Sequence, residues 1–231
     1  MDIIITPVGG GGLLAGVALA VKSINPNVKV IGVQAANADA MVRSFKDGKL
    51  TPLTRISTIA DGIAVKRPGS ITFELIKKYA DELVTVTDDE IASTIIELME
   101  RTKQVIEPAG ATSLAALLNG KIDAKGKNVV CVLSGGNVDI GFIHKIVERG
   151  LVKRGRQLRL SILMPDIPGG LERVAKIIAS TNANVIGVQY DRSSPELQIN
   201  SVVLHITCET SGHEHGKTIK KELENNGFKV Q

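Results

Sequence analysis

The sequence predicts an α/β chain: an open, mostly parallel sheet with helices between its strands, followed by a smaller α+β domain. Three observations carry this. Unbroken β-branched runs such as Ile3-Ile4-Ile5-Thr6-Pro7-Val8 have the character of strands buried on both faces of a parallel sheet. Helix-like stretches separate these runs. After Gly150 the strands become half-alternating and follow the order β-α-β-β-α-β, the split βαβ of a ferredoxin-like sandwich. The domains are expected at residues 1–155 and 156–231.

Bulk properties narrow the class. The 231 residues, 43% hydrophobic and 23% charged, are ample for a sizeable core and describe a globular protein rather than a disordered or fibrous one. No apolar run is long enough for a membrane span and no signal-peptide cleavage pattern follows the first strand, so no membrane partner is expected. The formal charge of +4 raises nucleic acid as a partner, but only 3% of residues are aromatic and Trp is absent, which leaves little for base stacking. The basic excess sits largely in Lys153, Arg154, Arg156 and Arg159, in a connector. No nucleic-acid partner is expected. Cys131 and Cys208, one per domain, fit a reducing, cytoplasmic compartment better than a disulfide framework.

Taken in order, the strand at residues 3–8 runs into Gly9-Gly10-Gly11-Gly12 and then the helix-like Leu13 to Val21, ended by Asn25-Pro26-Asn27. Val28 to Val33 reads as the next strand, and a short helix follows from Ala38 to Phe45. Lys49 to Gly69 has no period and contains Pro52, Gly62 and Pro68-Gly69, an irregular segment suited to lining a site. Ser70 is expected to cap a helix carrying Phe73, Leu75, Ile76 and Tyr79. Leu83 to Val86 is strand-like, and Thr87-Asp88-Asp89-Glu90 is a capping box opening a helix to about Thr102. Glu107-Pro108-Ala109-Gly110 opens a small-residue helix ending at Asn119-Gly120. Val129 to Leu133 reads as a second buried-type strand, running through Ser134-Gly135-Gly136-Asn137 into a helix that reaches Arg149. In the tail, strands are expected at 158–164, 183–191, 202–209 and 228–231, with helices at 171–180 and 214–226.

Two strands thus end in glycine-rich loops that open helices, and ligands of an open parallel sheet sit at the carboxyl ends of its strands. The first loop fits a phosphate cradle: glycines admit the anion to the backbone, and the free N–H groups and dipole of the helix start hold it. A plain strand-to-helix turn fits the same residues. The loop is not a P-loop, lacking Gly-Lys-Ser/Thr, and Gln34 stands where a dinucleotide site places its acidic ribose ligand. Ser134 and Glu107 each suit a helix cap as well as a site role, and Asp61 beside Gly62 suits a turn as well as a site lining. Cys131 reads as core, and His144, His205, His213 and His215 as surface or packing residues, the last two in a loop.

The segments Pro7-Val8-Gly9-Gly10-Gly11-Gly12-Leu13, Ala60-Asp61-Gly62, Glu107-Pro108-Ala109-Gly110-Ala111 and Leu133-Ser134-Gly135-Gly136-Asn137 together resemble threonine dehydratase (threonine ammonia-lyase), a lyase of the tryptophan-synthase-β kind. The tail, with Asp166-Ile167-Pro168-Gly169-Gly170-Leu171 after a strand, resembles an ACT domain. This resemblance implies part of a pyridoxal-phosphate fold-type II sheet. The N–H groups of Gly9, Gly10, Gly11, Gly12 and Leu13 would hold the cofactor phosphate; Ser134, with Gly135 beside it, would meet the pyridine nitrogen, and Asp61, Gly62 and Glu107 would line the site. The reaction would be β-elimination of L-threonine to 2-oxobutanoate and ammonia, a step of isoleucine biosynthesis under allosteric control. The tail would bind an amino-acid effector near Asp166, Gly169 and Leu171, and the protein would be a homo-oligomer.

Two departures from the family pattern qualify the expectation. The cofactor-anchoring lysine of the family lies in a Ser-x-Lys-x-Arg-Gly/Ala motif before the glycine loop, and Ser44-Phe45-Lys46-Asp47-Gly48 lies after it and lacks the Arg. The chain is therefore expected to be the carboxyl-terminal portion of such an enzyme, inactive by itself, with no catalytic residue of its own. Gln34 and Ala40 stand where metal-binding relatives carry acids, so no divalent metal is expected. The alternatives are a non-catalytic amino-acid-binding and dimerisation module, and a serine dehydratase or racemase relative.

Overall fold

A computed structural model describes residues 1–231 as two compact units, Met1–Ile146 and Val147–Gln231. The first unit holds a four-stranded parallel sheet in the order β3-β2-β1-β4. Its strands are β1 (Ile3–Pro7), β2 (Lys29–Ala35), β3 (Glu82–Val86) and β4 (Val129–Cys131). All five residues of β1 are buried. Alternate side chains explain this: Ile3 and Ile5 enter one apolar cluster, whereas Ile4 and Val8 enter another.

Helices α1 (Gly12–Ile24), α2 (Ala40–Asp47) and α3 (Ser70–Tyr79) supply Leu14, Met41, Phe73 and Ile76 to the cluster around Ile4. Helices α4 (Asp88–Arg101) and α5 (Pro108–Leu118) supply Ile91, Ile95, Ala111 and Ala115 to the cluster around Ile5. α4 starts where the sequence places it, with both halves of the Thr87–Glu90 capping box formed. Ser70, in contrast, is not a cap: it is the first helical residue of α3, behind Gly69.

β4 is shorter than the expected Val129 to Leu133. It is an edge strand paired only to β1, through Ile3↔Val129 to Ile5↔Cys131, and Val130 is 43% exposed. Nor does the helix start directly after Asn137, since α6 spans Ile140–Lys153. Ser134 consequently has no helix to cap.

In the second unit β5 (Gln157–Pro165), α7 (Gly170–Ser180), β6 (Asn184–Asp191), β7 (Ser201–Glu209), α8 (His213–Asn225) and β8 (Lys229–Val230) follow one another. The sheet order is β6-β7-β5-β8 with antiparallel pairing, which is the ferredoxin-like arrangement. Leu160, Ile162, Leu204 and Ile206 meet Val174, Ile178, Ile219 and Leu223 of the helices in one core. His213 and His215 lie in the first turn of α8, not in a loop. No helix of the chain is long and apolar enough to cross a membrane.

Candidate active site

The glycine loop leaves the carboxyl end of β1, and the Ser134 loop leaves that of β4. Because β1 and β4 are adjacent and parallel, with Ile5 opposite Cys131, the two loops emerge side by side at one edge of the sheet.

The first loop is shaped by two closed and two open glycines. Gly11 has φ 98°, a conformation that L side chains rarely adopt, and a Cβ there would lie 2.6 Å from Met41 Cε. Gly9 packs against Ile63, whose Cα would lie 3.1 Å from an added Cβ. A Cβ on Gly10 or Gly12 meets nothing within 4 Å, so the loop faces open space at those residues. The start of α1 is uncapped by any side chain, and the first intrahelical bond there is donated by Ala15 N–H to the Gly11 carbonyl. The N–H groups of Gly12, Leu13 and Leu14 are therefore the orphan donors of a helix start. α3 braces the loop: Thr72 Oγ1 donates to the Gly10 carbonyl at 2.6 Å and the Gly69 N–H donates to it at 3.2 Å. An exposed, glycine-lined, uncapped helix start with a fixed loop suits a phosphate dianion.

The second loop is held by α5. Ser113 Oγ donates to the Val132 carbonyl at 2.7 Å, and the Glu107 N–H donates to the Gly135 carbonyl at 3.4 Å. Gly135 is left-handed, φ 82°, and its Cα faces the Glu107 carboxylate so closely that a Cβ would overlap Oε1. Gly62 faces the same carboxylate, at 3.4 Å from an added Cβ, and Ala109 at 3.2 Å. Thus Gly62, Glu107, Ser134 and Gly135, separated by up to 73 residues of sequence, converge on the start of α5. The 3-10 turn Asp61–Ile63 links this cluster to Gly9 through Ile63. Asp61 itself is exposed, and its carboxylate accepts the Gly62 N–H at 2.8 Å, a turn-shaping bond.

Thr72, Gly69 and Gly110 belong to this construction but were not legible as site residues. Thr72 carries no local signal, being 62 residues from the Gly10 carbonyl it braces, and Gly69 shows in the sequence only as the end of the irregular segment that begins at Lys49. Gly110 did carry one, a glycine inside a helix. Gln34 is fully buried, and its Oε1 accepts the Val42 N–H at 2.9 Å. Cys131 lies in β4, with burial pushing its thiol up to about 11.

In the second unit, Asp166, Gly169 and Leu171 line an open groove of about 690 Å³ together with Tyr190 and Arg192. Arg192 grips Asp166 with Nε–Oδ2 2.8 Å and Nη2–Oδ1 3.2 Å and stacks 4.6 Å over the Tyr190 ring. The guanidinium hydrogen bond holds the Asp166 carboxyl below its ordinary value.

An open parallel sheet with a glycine-built, uncapped helix start beside a second polar loop is an arrangement suited to a phosphorylated cofactor. Residues 1–135 match the family described as "Pyridoxal-phosphate dependent enzyme", and the chain belongs to that family. Its cofactor is pyridoxal phosphate, and the cradle fits the phosphate of that group. The chain is 45% identical to an L-threonine ammonia-lyase of Thermotoga maritima over all of its length and 57% of that protein's. A structure of the processed form of threonine deaminase isoform 2 from Solanum lycopersicum is 36% identical, with a TM-score of 0.60 over 64% of this chain and 44% of the other. A serine racemase from Dictyostelium discoideum is 44% identical, with a TM-score of 0.56 over 61% and 45%. The chain thus spans little more than half the length of the L-threonine ammonia-lyases it matches and less than half of these two solved structures.

Proposed function

We propose that the chain is the phosphate-holding and ring-holding part of a threonine ammonia-lyase, joined to an amino-acid-sensing ACT domain over residues 156–231. The observation that carries the reading is the adjacency of β1 and β4, which sets the Gly9–Leu13 cradle beside the Ser134 loop at one sheet edge. In this reading the N–H groups from Gly9 to Leu13 bind the phosphate, and the Ser134 hydroxyl bonds the pyridine nitrogen. Pyridoxal phosphate, when bound, supplies the electron sink for β-elimination of threonine to 2-oxobutanoate and ammonia. A neutral Ser134 partner leaves the ring nitrogen less electron-withdrawing than a carboxylate partner would, which favours elimination over transamination. Glu107 orients the Ser134-Gly135 loop through its packing on Gly135. The anchoring lysine, the usual agent of α-proton transfer, is assigned to polypeptide outside these 231 residues.

The Asp166–Arg192 groove takes an amino-acid effector, whose carboxylate faces the uncapped start of α7. Self-association into a homo-oligomer accompanies that role. A serine-specific reaction is the second reading, favoured by the 44% identity to a serine racemase.

The test is equilibrium titration of the purified chain with pyridoxal phosphate, with inorganic phosphate as competitor. Binding that phosphate displaces, without release of 2-oxobutanoate from added threonine, is the expected result. Absence of any binding refutes the assignment. Calorimetry with isoleucine, valine and serine tests the tail, and heat from none of them counts against the sensor.

A further inference from the structure

We infer that Gly110 is a positioning residue for Ser134: its missing side chain sets how closely the Ser134 peptide lies against α5, and with it where the Ser134 hydroxyl stands. The inference rests on the assignment of Ser134 to the cofactor ring and goes beyond it to a residue that touches no ligand.

Gly110 is buried in the first turn of α5 and is not among the glycines with positive φ. Its backbone conformation is open to any residue, and alanine is the better helix former at such a position. Close approach is what requires glycine. An added Cβ would overlap the Ser134 carbonyl oxygen, and would lie 2.7 Å from the Ser134 carbonyl carbon and 2.9 Å from Ile106 Cγ2. Two of these three obstacles are backbone atoms, which cannot rotate away. The loop is tied to α5 on both sides of the contact, at Val132 by Ser113 and at Gly135 by Glu107. A methyl group at residue 110 must therefore displace Ser134 between two fixed ties or break one of them. The glycine cradle touches this cluster where Ile63 packs on Gly9, but its own brace is on the other side, from α3 through Thr72 and Gly69. Gly110→Ala should consequently injure recognition of the ring and spare that of the phosphate.

The experiment uses the full chain and three probes: inorganic phosphate, pyridoxal phosphate, and the analogue in which CH replaces the ring nitrogen. For Gly110→Ala the expected result is unchanged phosphate affinity, about tenfold weaker pyridoxal phosphate, the scale of one lost hydrogen bond, and little change with the analogue. An equal loss with pyridoxal phosphate and its analogue, or no loss with either, overturns the inference. If Gly110→Ala loses phosphate binding as well, through misfolding, Ser113→Ala decides, because it loosens the same loop without adding volume. Selective weakening of pyridoxal phosphate in Ser113→Ala supports the positioning role, and unchanged affinity overturns it. Wild-type chain that does not distinguish pyridoxal phosphate from the analogue refutes the assignment of Ser134 itself, and the inference falls with it.

Discussion

Gly11→Ala should separate the folding of the cradle from its chemistry. Alanine at φ 98° costs about 1–2 kcal/mol for the left-handed conformation alone. The new methyl would also lie 2.6 Å from Met41 Cε, 2.9 Å from Ile76 Cδ1 and 2.9 Å from Thr72 Oγ1. Relieving such overpacking costs a further ~1–3 kcal/mol. The expected destabilisation is therefore about 2–5 kcal/mol, confined to the first unit. Gly12→Ala is the matched control. Nothing lies within 4 Å of its Cβ, and its helical backbone accepts alanine with a gain of up to ~1 kcal/mol from the unfolded chain. The added methyl, however, enters the space assigned to phosphate. Urea unfolding followed by far-ultraviolet circular dichroism, with phosphate calorimetry on the same samples, reads both effects. The pattern expected is an unstable Gly11→Ala and a stable Gly12→Ala that binds phosphate poorly. Gly11→Ala within about 0.5 kcal/mol of wild type would refute the reasoning from backbone conformation and packing.

Thr72→Val removes the hydroxyl that donates to the Gly10 carbonyl and should cost about 1 kcal/mol in urea unfolding, with weaker phosphate binding by calorimetry. Thr87→Ala breaks the capping box of α4, costing ~0.5–2 kcal/mol while leaving phosphate binding intact. The Asp166 carboxyl sits below its ordinary value because of Arg192. Its contribution is therefore complete above the unfolded value and is lost as pH falls through the lower folded one. Carboxyl chemical shifts should show this titration move upward in Arg192→Gln, and an unmoved titration would deny the pairing. The thiols of Cys131 and Cys208, both raised to about 11 by burial, should resist iodoacetamide at pH ~8 until urea unfolds their units. Rapid labelling of the folded chain would contradict the burial.

Local chemistry made much of the fold legible. The alternation of Ile3 and Ile5 with Ile4 and Val8 is a two-faced strand, and Thr87 with Glu90 is a complete helix start within four residues. The errors fall where a local signal met a tertiary demand. Val129 to Leu133 is apolar enough for a long buried strand, yet pairing with β1 stops at Cys131, and the loop beyond is drawn onto α5 by Ser113 and Glu107. Ser134 reads as a cap because polar residues after strands often are, but the helix begins six residues later.

The glycines at 9–12 announce a cradle from sequence because backbone freedom and an uncapped helix start are properties of the segment itself. The division of labour among them is not local. Gly11 is needed for its left-handed turn against Met41 and Ile76, while Gly10 and Gly12 border open space, and those neighbours come from α2 and α3. The same holds for Gly110, whose conformation any residue could adopt and whose necessity lies in a carbonyl 24 residues further along the chain. Periodicity and capping act through neighbours in sequence, so a sequence records them. Close approach acts between segments that meet only after the sheet has ordered its strands, and it left only a glycine in the wrong place as its trace.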